Sequence, residues 1–501
     1  MTTGTVTPAT GGRWRAAARR DPATTVVVVM ALVAAGLQVL TLARPNLLLD
    51  GHSDTSLYLG AAIRFVHGAL PYRDFAMVQP PGLVLLFSPF GLLSMAVGSR
   101  VALMAVTGCT PLLAAANVAL VGKLIAHRGW RATLAACGLM AVFPATYVAL
   151  GDGMLEPLMC FFCLLGAVLV FDRDGLAGRR RLGAGGIAFG FGGSVLIATA
   201  LPALVVMALC SGRLKRRLLP FAGGVAAGFL IPVIPFFVAA PAALVHDTVV
   251  SQLERVSGGG RTPVADRLMY MTFAPDGGRV IWAVVALAVL GVVIVAGLAA
   301  VRRRLTALDW FAVGGTLSLG AVQFTIAIYF NHFPAMLVPY LALLLGIAVG
   351  RLSSWRAPRL MAAVAALAVA GLVVAQASRI ETESIVDVGP WVDAVVPVNG
   401  CAIASLTYLV VTSNRFESSV AGCTTFTDPG STRLVDHDSP GGPVPAFRTA
   451  LEHTDYLVLD RTLRQWLSGA YAPLQGYVTQ DFHLIRSGAL WIYVRDGYQV
   501  G

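Results

Sequence analysis

The stretch LLDGHSDTSLYLGAAIRFVHGALPYRDFAMVQPPG, residues 48–82, decides how the rest of the chain is read. It follows a first apolar run at 24–43 and holds three Asp (Asp50, Asp54, Asp74), two His (His52, His67) and two Arg (Arg64, Arg73). Of 501 residues only 13% are charged and 56% are hydrophobic, so seven ionisable groups in one short segment need a reason. Soluble domains carry roughly 25% charged residues, and this chain reads instead as a mainly α, polytopic membrane protein. The question becomes which face of the membrane the charged stretch occupies.

A helix that crosses a bilayer needs about 20 mostly apolar residues. Candidate spans fall at 24–43, 99–123, 130–149, 155–171, 183–198, 200–211, 218–240, 279–300, 309–329, 333–350 and 358–376, the fifth and sixth short enough to be tilted or broken. The first has no convincing cleavage site and reads as a span, not a signal peptide. If the amino-terminal segment 1–23, with Arg13, Arg15, Arg19 and Arg20, is cytoplasmic, every second span must return the chain to the cytoplasm. The loops at 123–131, 173–181, 213–217, 302–304 and 351–359 then lie inside, and all five are basic, as the positive-inside rule requires. The net charge of +11 is thereby a topology signal and not a nucleic-acid stripe. The opposite face receives 44–98, the GDGMLEP loop at 151–157, the segment 241–278, the NHFP turn at 331–334 and everything after 376. Counting 80–98 as a further span would invert the charge pattern; its Pro and Gly content points to a re-entrant or interfacial helix pair.

Domain organisation follows: a transmembrane domain at 24–376 with a first outer loop at 44–98, and an extracytoplasmic domain at 377–501. In the latter, CAIASLTYLVVTS, TDYLVLDR and GALWIYVRDG read as strands between turns, giving a small α/β domain. Cys109, Cys137, Cys160, Cys163 and Cys210 fall in apolar spans and read as small core fillers. Cys401 and Cys423 are left in an oxidising compartment, where a disulfide between them is expected.

Within the outer loops, Asp54 begins a segment with apolar residues at helical spacing (Leu57, Ala61, Ile63, Phe65). Ser53 or Asp54 can cap that helix; alternatively Asp54 is a carboxylate held at the membrane surface as a general base, with Arg64 and Arg73 as phosphate partners. Asp50, Asp74 and Asp247 read as solvated loop charges. Asp152 and Glu156 lie four residues apart, so they share a face if the helix starts early. Asp152 can be a cap, whereas Glu156 in the first turn of an apolar helix is harder to explain structurally. Arg255, Arg261 and Arg267 lie around a glycine run, and Arg261 or Arg267 can hold a lipid-linked phosphate or anionic headgroups, and His332 stands as a helix emerges on the same face. No local pattern for zinc, calcium loops or a nucleotide-binding P-loop is present.

These residues carry a family resemblance. The chain resembles the glycosyltransferase-C superfamily, polytopic enzymes that transfer a sugar from a polyprenyl-phosphate carrier. The match rests on Asp54 followed by Tyr58, a small-residue helix, the segment from Gly68 to Phe75, Pro80 to Gly82, the GDGMLEP loop, and Asn331 to Pro334. The likeness is to actinobacterial mannosyl- and arabinofuranosyltransferases and to the protein O-mannosyltransferase-like group, although the paired Asp-Glu of the latter is Asp54-Thr55 here. It implies Asp54 as catalytic base, Glu156 or Asp152 as a second acidic group, Tyr58, Arg64, Arg73, Arg261, Arg267 and His332 as substrate-binding groups, and a divalent metal as an option that no ligand set demands. It also implies, as partners, a polyprenyl-phosphate-sugar donor, a glycan, glycolipid or protein acceptor, and membrane lipids. A polytopic transporter or lipid flippase is the alternative, but transporters place charged sites near the midplane and here the ionisable residues gather at one face.

Overall fold

A computed structural model describes residues 21–44, 46–49, 54–252, 261–272, 291, 294, 304–327, 329–352, 386–418, 422–423 and 444–498. The expected spans at 279–300 and 358–376 lie outside the described residues, apart from two isolated positions in the first. The chain opens with α1 (Pro22–Leu42), capped by the Asp21 carboxylate accepting from the Ala23 amide. Next come α2 (Asp54–Val66), α3 (Gly82–Val97), α4 (Ser99–Gly108) and α5 (Thr110–Ile125). They are followed by α6 (Trp130–Val142), α7 (Pro144–Gly151), α8 (Glu156–Val170), α9 (Arg179–Val195), α10 (Ala200–Cys210), α11 (Leu219–Ala239) and α12 (Pro241–Val245). Then come α13 (Val264–Thr272), α14 (Ala307–Thr325) and α15 (Val338–Leu352).

Among the described residues three helical runs are long and apolar enough to cross a membrane: Pro22–Leu42, Ser99–Arg128 and Ile197–Ala239. The pair α6 and α7, bent by 43° at Phe143, makes a fourth if read as one span. The expected span at 200–211 and its successor at 218–240 are one helical run interrupted at Arg213, whose φ of −143° and ψ of 74° leave helical geometry. The expected helices at 155–171 and 333–350 form as shorter apolar helices, Glu156–Val170 and Val338–Leu352. Outward-facing Leu32, Leu112, Ile231 and Val238 are each two-thirds or more exposed, an apolar surface whose natural solvent is the bilayer.

The run at 80–98 is not a helix pair. Pro89 sits inside one continuous helix, α3, which lies along α2. The two approach so closely at Gly91 that a Cβ there would stand 2.8 Å from the Ala62 carbonyl oxygen. Proline costs a helix one hydrogen bond, yet α3 continues through Pro89 while packed on α2 and α4.

Glycines also explain why α9 and α11 meet along their whole length. A Cβ at Gly190 would lie 2.1 Å from the Val225 carbonyl oxygen, and one at Gly228 would lie 2.2 Å from that of Ile187. Backbone-to-backbone packing through small residues is how apolar helices associate where no hydrophobic driving force separates them. Gly228→Leu should therefore lower thermal stability in detergent, by about 1–3 kcal/mol for over-packing alone. An unchanged melting temperature would mean that α9 and α11 do not pack through these glycines.

The basic loops expected on one face are more than topology signals. Arg128 pairs with Asp309 at 2.7 Å and also with Asp174, and Arg351 pairs with the second oxygen of Asp309. Asp309 is fully buried and also closes a capping box with Thr306 at the start of α14. Two arginines from two elements thus neutralise one buried carboxylate, which ties the ends of α5, α14 and α15 together.

Between α8 and α9 a short antiparallel pair forms from β1 (Phe171–Asp172) and β2 (Gly175–Leu176), and beyond α15 a four-stranded sheet forms from β3 (Ala402–Ala404), β4 (Tyr456–Leu459), β5 (Phe482–Arg486) and β6 (Trp491–Arg495), in the order β3-β4-β6-β5, with β3 and β4 parallel and the other pairs antiparallel. Two of the expected strands form near their predicted places. The third is corrected: after β3 the chain turns into a helix at Thr407–Val411. That apolar run is buried on every side, so it carries no alternation by which strand and helix can be told apart. A disulfide joins Cys401 to Cys423, with Cα atoms 5.6 Å apart.

This carboxyl-terminal unit is fastened behind the first loop. Arg100 at the start of α4 makes two bonds to Asp387, at 2.5 and 3.0 Å, and a third to the Thr412 carbonyl. The Ser99 hydroxyl donates to the Val411 carbonyl, and Phe416 packs against Gly60 of α2. The helix that begins at Asp54 is thus clamped between α3 on one side and the carboxyl-terminal unit on the other.

Candidate active site

The amino terminus of α2 opens into a cavity of about 390 Å³. Its walls come from Asp54 and Tyr58, residues 78–80 ahead of α3, residues 154–156 at the entry to α8, residues 196–197, Thr248, Val249 and Gln252, and the turn at 330–333. Asp54 is the first residue of α2, where the exposed amides of a helix start favour a negative charge. One turn later the buried Tyr58 donates its hydroxyl to Asp54 Oδ2 at 2.9 Å. Tyr58 lines the cavity as expected of a substrate-binding group, and it also fixes the Asp54 carboxylate.

A second carboxylate reaches the cavity because of one tight turn. The chain leaves α7 at Asp152 and turns through Gly153 at φ +58°, a conformation that favours glycine. A Cβ at Gly153 would stand 1.6 Å from the Thr55 hydroxyl oxygen, so the turn sits directly against the start of α2. Three residues on, Glu156 begins α8 with only 4% of its surface exposed. Glu156 Oε1 accepts from His332 Nδ1 at 3.0 Å, and Oε2 makes no hydrogen bond among the described residues.

His332 is itself buried, stacked on Phe330 and edge-on to Phe333. Burial acts to lower its pKa, but the hydrogen bond and charge of Glu156, with Asp54 and Asp152 behind it, outweigh that and hold it above the ordinary value. Of the described residues that line the cavity, His332 is the one able to carry positive charge near neutral pH. Asp152 does not line the cavity; half-buried just past the end of α7, it contributes through its field.

None of the four arginines expected to hold phosphate lines the cavity. Arg64 lies ten residues along α2 from Asp54, a separation of about 15 Å on a helix axis, with its guanidinium over the Phe75 ring. Arg73 is bound to its neighbour Asp74 through two contacts at 2.8 and 2.9 Å, so Asp74 is a paired charge and not merely a solvated one. Arg261 is exposed and reaches the Thr325 carbonyl at 3.5 Å. Arg267 is buried and donates to the carbonyls of Thr262, Gln323, Ile326 and Ala327 at 2.5–2.9 Å. It closes the end of α14 and holds the turn that leads to His332, so its charge is spent on backbone oxygens.

Asp247 is also corrected: it is 2% exposed and accepts from the Met77 amide, which ties the 246–250 turn to the first loop. Asp50, His52 and Ser53 lie outside the described residues. Gln252 was not singled out in the sequence, yet it lines the cavity and donates to the Val78 carbonyl at 3.2 Å. No spacing or charge marks it; only the fold brings it there. No group of three or more His, Cys, Asp or Glu able to hold a metal occurs among the described residues.

A family model, glycosyltransferase family 87, matches residues 78–322. No curated protein matches the chain in sequence. In structure the chain is similar to ArnT from Cupriavidus metallidurans bound to undecaprenyl phosphate, at 14% identity and a TM-score of 0.63, with 95% of this chain and 99% of that one covered. The chain has the glycosyltransferase-C fold. A further glycosyltransferase-C likeness is to the archaeal oligosaccharyltransferase AglB from Archaeoglobus fulgidus, solved in complex with an inhibitory peptide and a dolichol-phosphate, at 12% identity and a TM-score of 0.51, with 96% and 75% covered. In this fold the apolar helices carry the cavity, and the carboxyl-terminal unit braces the helix that presents Asp54.

Proposed function

We propose that the protein is an integral membrane glycosyltransferase that moves a sugar from a polyprenyl-phosphate donor to an acceptor hydroxyl on the outer face of the membrane. The observation that carries the proposal is the convergence of Asp54, held by Tyr58, with the Glu156–His332 pair on one cavity of a glycosyltransferase-C fold.

In this reading Asp54 accepts the proton of the acceptor hydroxyl as its oxygen attacks the anomeric carbon. The bond from that carbon to the phosphate oxygen breaks, the configuration inverts, and polyprenyl phosphate leaves. A positively charged group near the departing phosphate lowers the barrier because the charge there grows as the bond breaks. His332 meets that need: Glu156 engages Nδ1 and favours the imidazolium, and Nε2 is the nitrogen available to a phosphate oxygen. Glu156 then acts on the phosphate through His332.

The charge pattern of the loops supports the outer face, and the placement of Asp54, Glu156 and His332 at helix starts, not mid-helix, favours this reading over a transporter or flippase. The test is turnover. Purified protein in nanodiscs, given polyprenyl-phosphate mannose or polyprenyl-phosphate arabinofuranose, should release polyprenyl phosphate and transfer the sugar to a hydroxyl acceptor. Failure to cleave either donor, with the protein folded, would overturn the proposal for these two sugar classes. Lipid movement across vesicles without cleavage would favour the flippase.

A further inference from the structure

Positive charge that the site does not use gathers at the far end of two helices that lead to it. α9 finishes at Val195, and the next two residues, Leu196 and Ile197, line the cavity. Its start at Arg179 therefore lies about 25 Å away, by the rise of a 17-residue helix. α11 runs parallel to α9: the Gly183 carbonyl abuts Gly224 and the Ile187 carbonyl abuts Gly228, four residues further on in each helix. Gly183 also lies against Pro220, so Arg179 and Arg216, each four residues earlier, belong to the same end of the pair.

Six cations collect there: Arg179, Arg180, Arg213, Lys215, Arg216 and Arg217. All but the half-buried Arg217 are exposed, and none of the six makes a hydrogen bond or an ion pair among the described residues. Neighbouring basic groups differ, since Arg128 and Arg351 are spent on Asp309, and Arg181 donates to the Val168 and Phe171 carbonyls. A topology signal needs positive charge only in the loop. Arg179 and Arg180 instead stand in the first turn of α9, where the helix dipole disfavours them and no acidic residue offsets them. An anion bound over the six removes that penalty. Apolar surface adjoins the charge: Leu214 and Leu219 are each 55% exposed, and Ile187, further along α9, is 51% exposed. A soluble anion has no use for that surface, whereas a phospholipid sets its phosphate on the cations and its acyl chains along the apolar wall. We infer that the start of α9 and the Arg213–Arg217 turn into α11 together bind an anionic phospholipid, in the leaflet away from the cavity.

The test is native mass spectrometry of the delipidated full chain in dodecyl maltoside, titrated with phosphatidylglycerol or with phosphatidylcholine. Phosphatidylglycerol should bind saturably and about tenfold more tightly, equivalent to about 1.4 kcal/mol. Arg180→Gln combined with Arg216→Gln should abolish that preference, and Arg180→Lys combined with Arg216→Lys should keep it. Arg448→Gln combined with Arg464→Gln removes the same charge from exposed positions of the carboxyl-terminal unit and should leave the preference intact. Equal affinity of the unchanged protein for the two lipids would overturn the inference, as would the same loss in both glutamine pairs. Displacement of phosphatidylglycerol by inorganic phosphate at constant ionic strength would also overturn it, by assigning the cations to a soluble anion. Binding is read without donor, acceptor or turnover, so its outcome is independent of the glycosyl-transfer reading.

Discussion

Asp54→Asn should lower the rate of sugar transfer by about 10²–10⁴, the contribution expected of a positioned general base. The amide has the shape of the carboxylate and can still accept the Tyr58 hydroxyl bond of 2.9 Å, so the start of α2 keeps its geometry. What is lost is a group able to take a proton from the acceptor as the new glycosidic bond forms. The loss should fall on kcat, with the melting temperature in detergent close to that of the unchanged protein. A variant that folds and turns over at the full rate would remove Asp54 from the role. Tyr58→Phe makes a milder companion: the carboxylate stays but its rotamer is released, and one neutral hydrogen bond is worth only about 0.5–1.5 kcal/mol.

The place of Asp54 and Glu156 at the cavity is legible in the sequence for a physical reason. A carboxylate at the first position of a helix beside an apolar face is either a cap or a reagent, and few other positions in so charge-poor a chain invite the question. His332 was noticed as a helix-entry residue, but nothing local reveals that its partner lies 176 positions earlier. The absence of the four arginines from the cavity lining is not legible in the sequence, because charge and loop membership do not say which way a side chain is spent. Arg267 satisfies four carbonyls at the end of α14, and Arg64 is set far along α2 by the rise of the helix.

Much of the helical architecture was legible from apolar run length, and the breaks were not. The bend at Phe143 and the departure from helix at Arg213 depend on what packs alongside. The run at 80–98 shows the same limit: its prolines argue for a broken element, yet α3 continues through Pro89 while packed on α2. In the carboxyl-terminal unit, β5 is not legible because Phe482–Arg486 is an edge strand whose residues His483, Leu484 and Ile485 are all exposed. An edge strand shows neither a continuous apolar run nor a clean alternation.

His332→Ala should cost about 10²–10³ in transfer rate at neutral pH, the scale for removing one group aimed at charge that develops in the transition state. The pH dependence separates a charged role from a packing role. His332 stands above its ordinary value of 6.5 because Glu156 outweighs burial. The imidazolium is therefore the dominant form below that raised value, and both the activity that depends on it and its contribution to stability should fall as pH rises through it. The stability contribution is complete below 6.5, where the unfolded histidine is also protonated. Glu156→Gln takes away the largest opposing influence and leaves burial set against only the charges of Asp54 and Asp152, so the basic limb of the pH–rate profile should move to lower pH and activity at neutral pH should drop. Lowering the pH should then restore part of the Glu156→Gln rate and none of the His332→Ala rate. If both variants instead show equal losses at every pH, the pair acts through packing, and the phosphate must find its positive partner elsewhere in the chain.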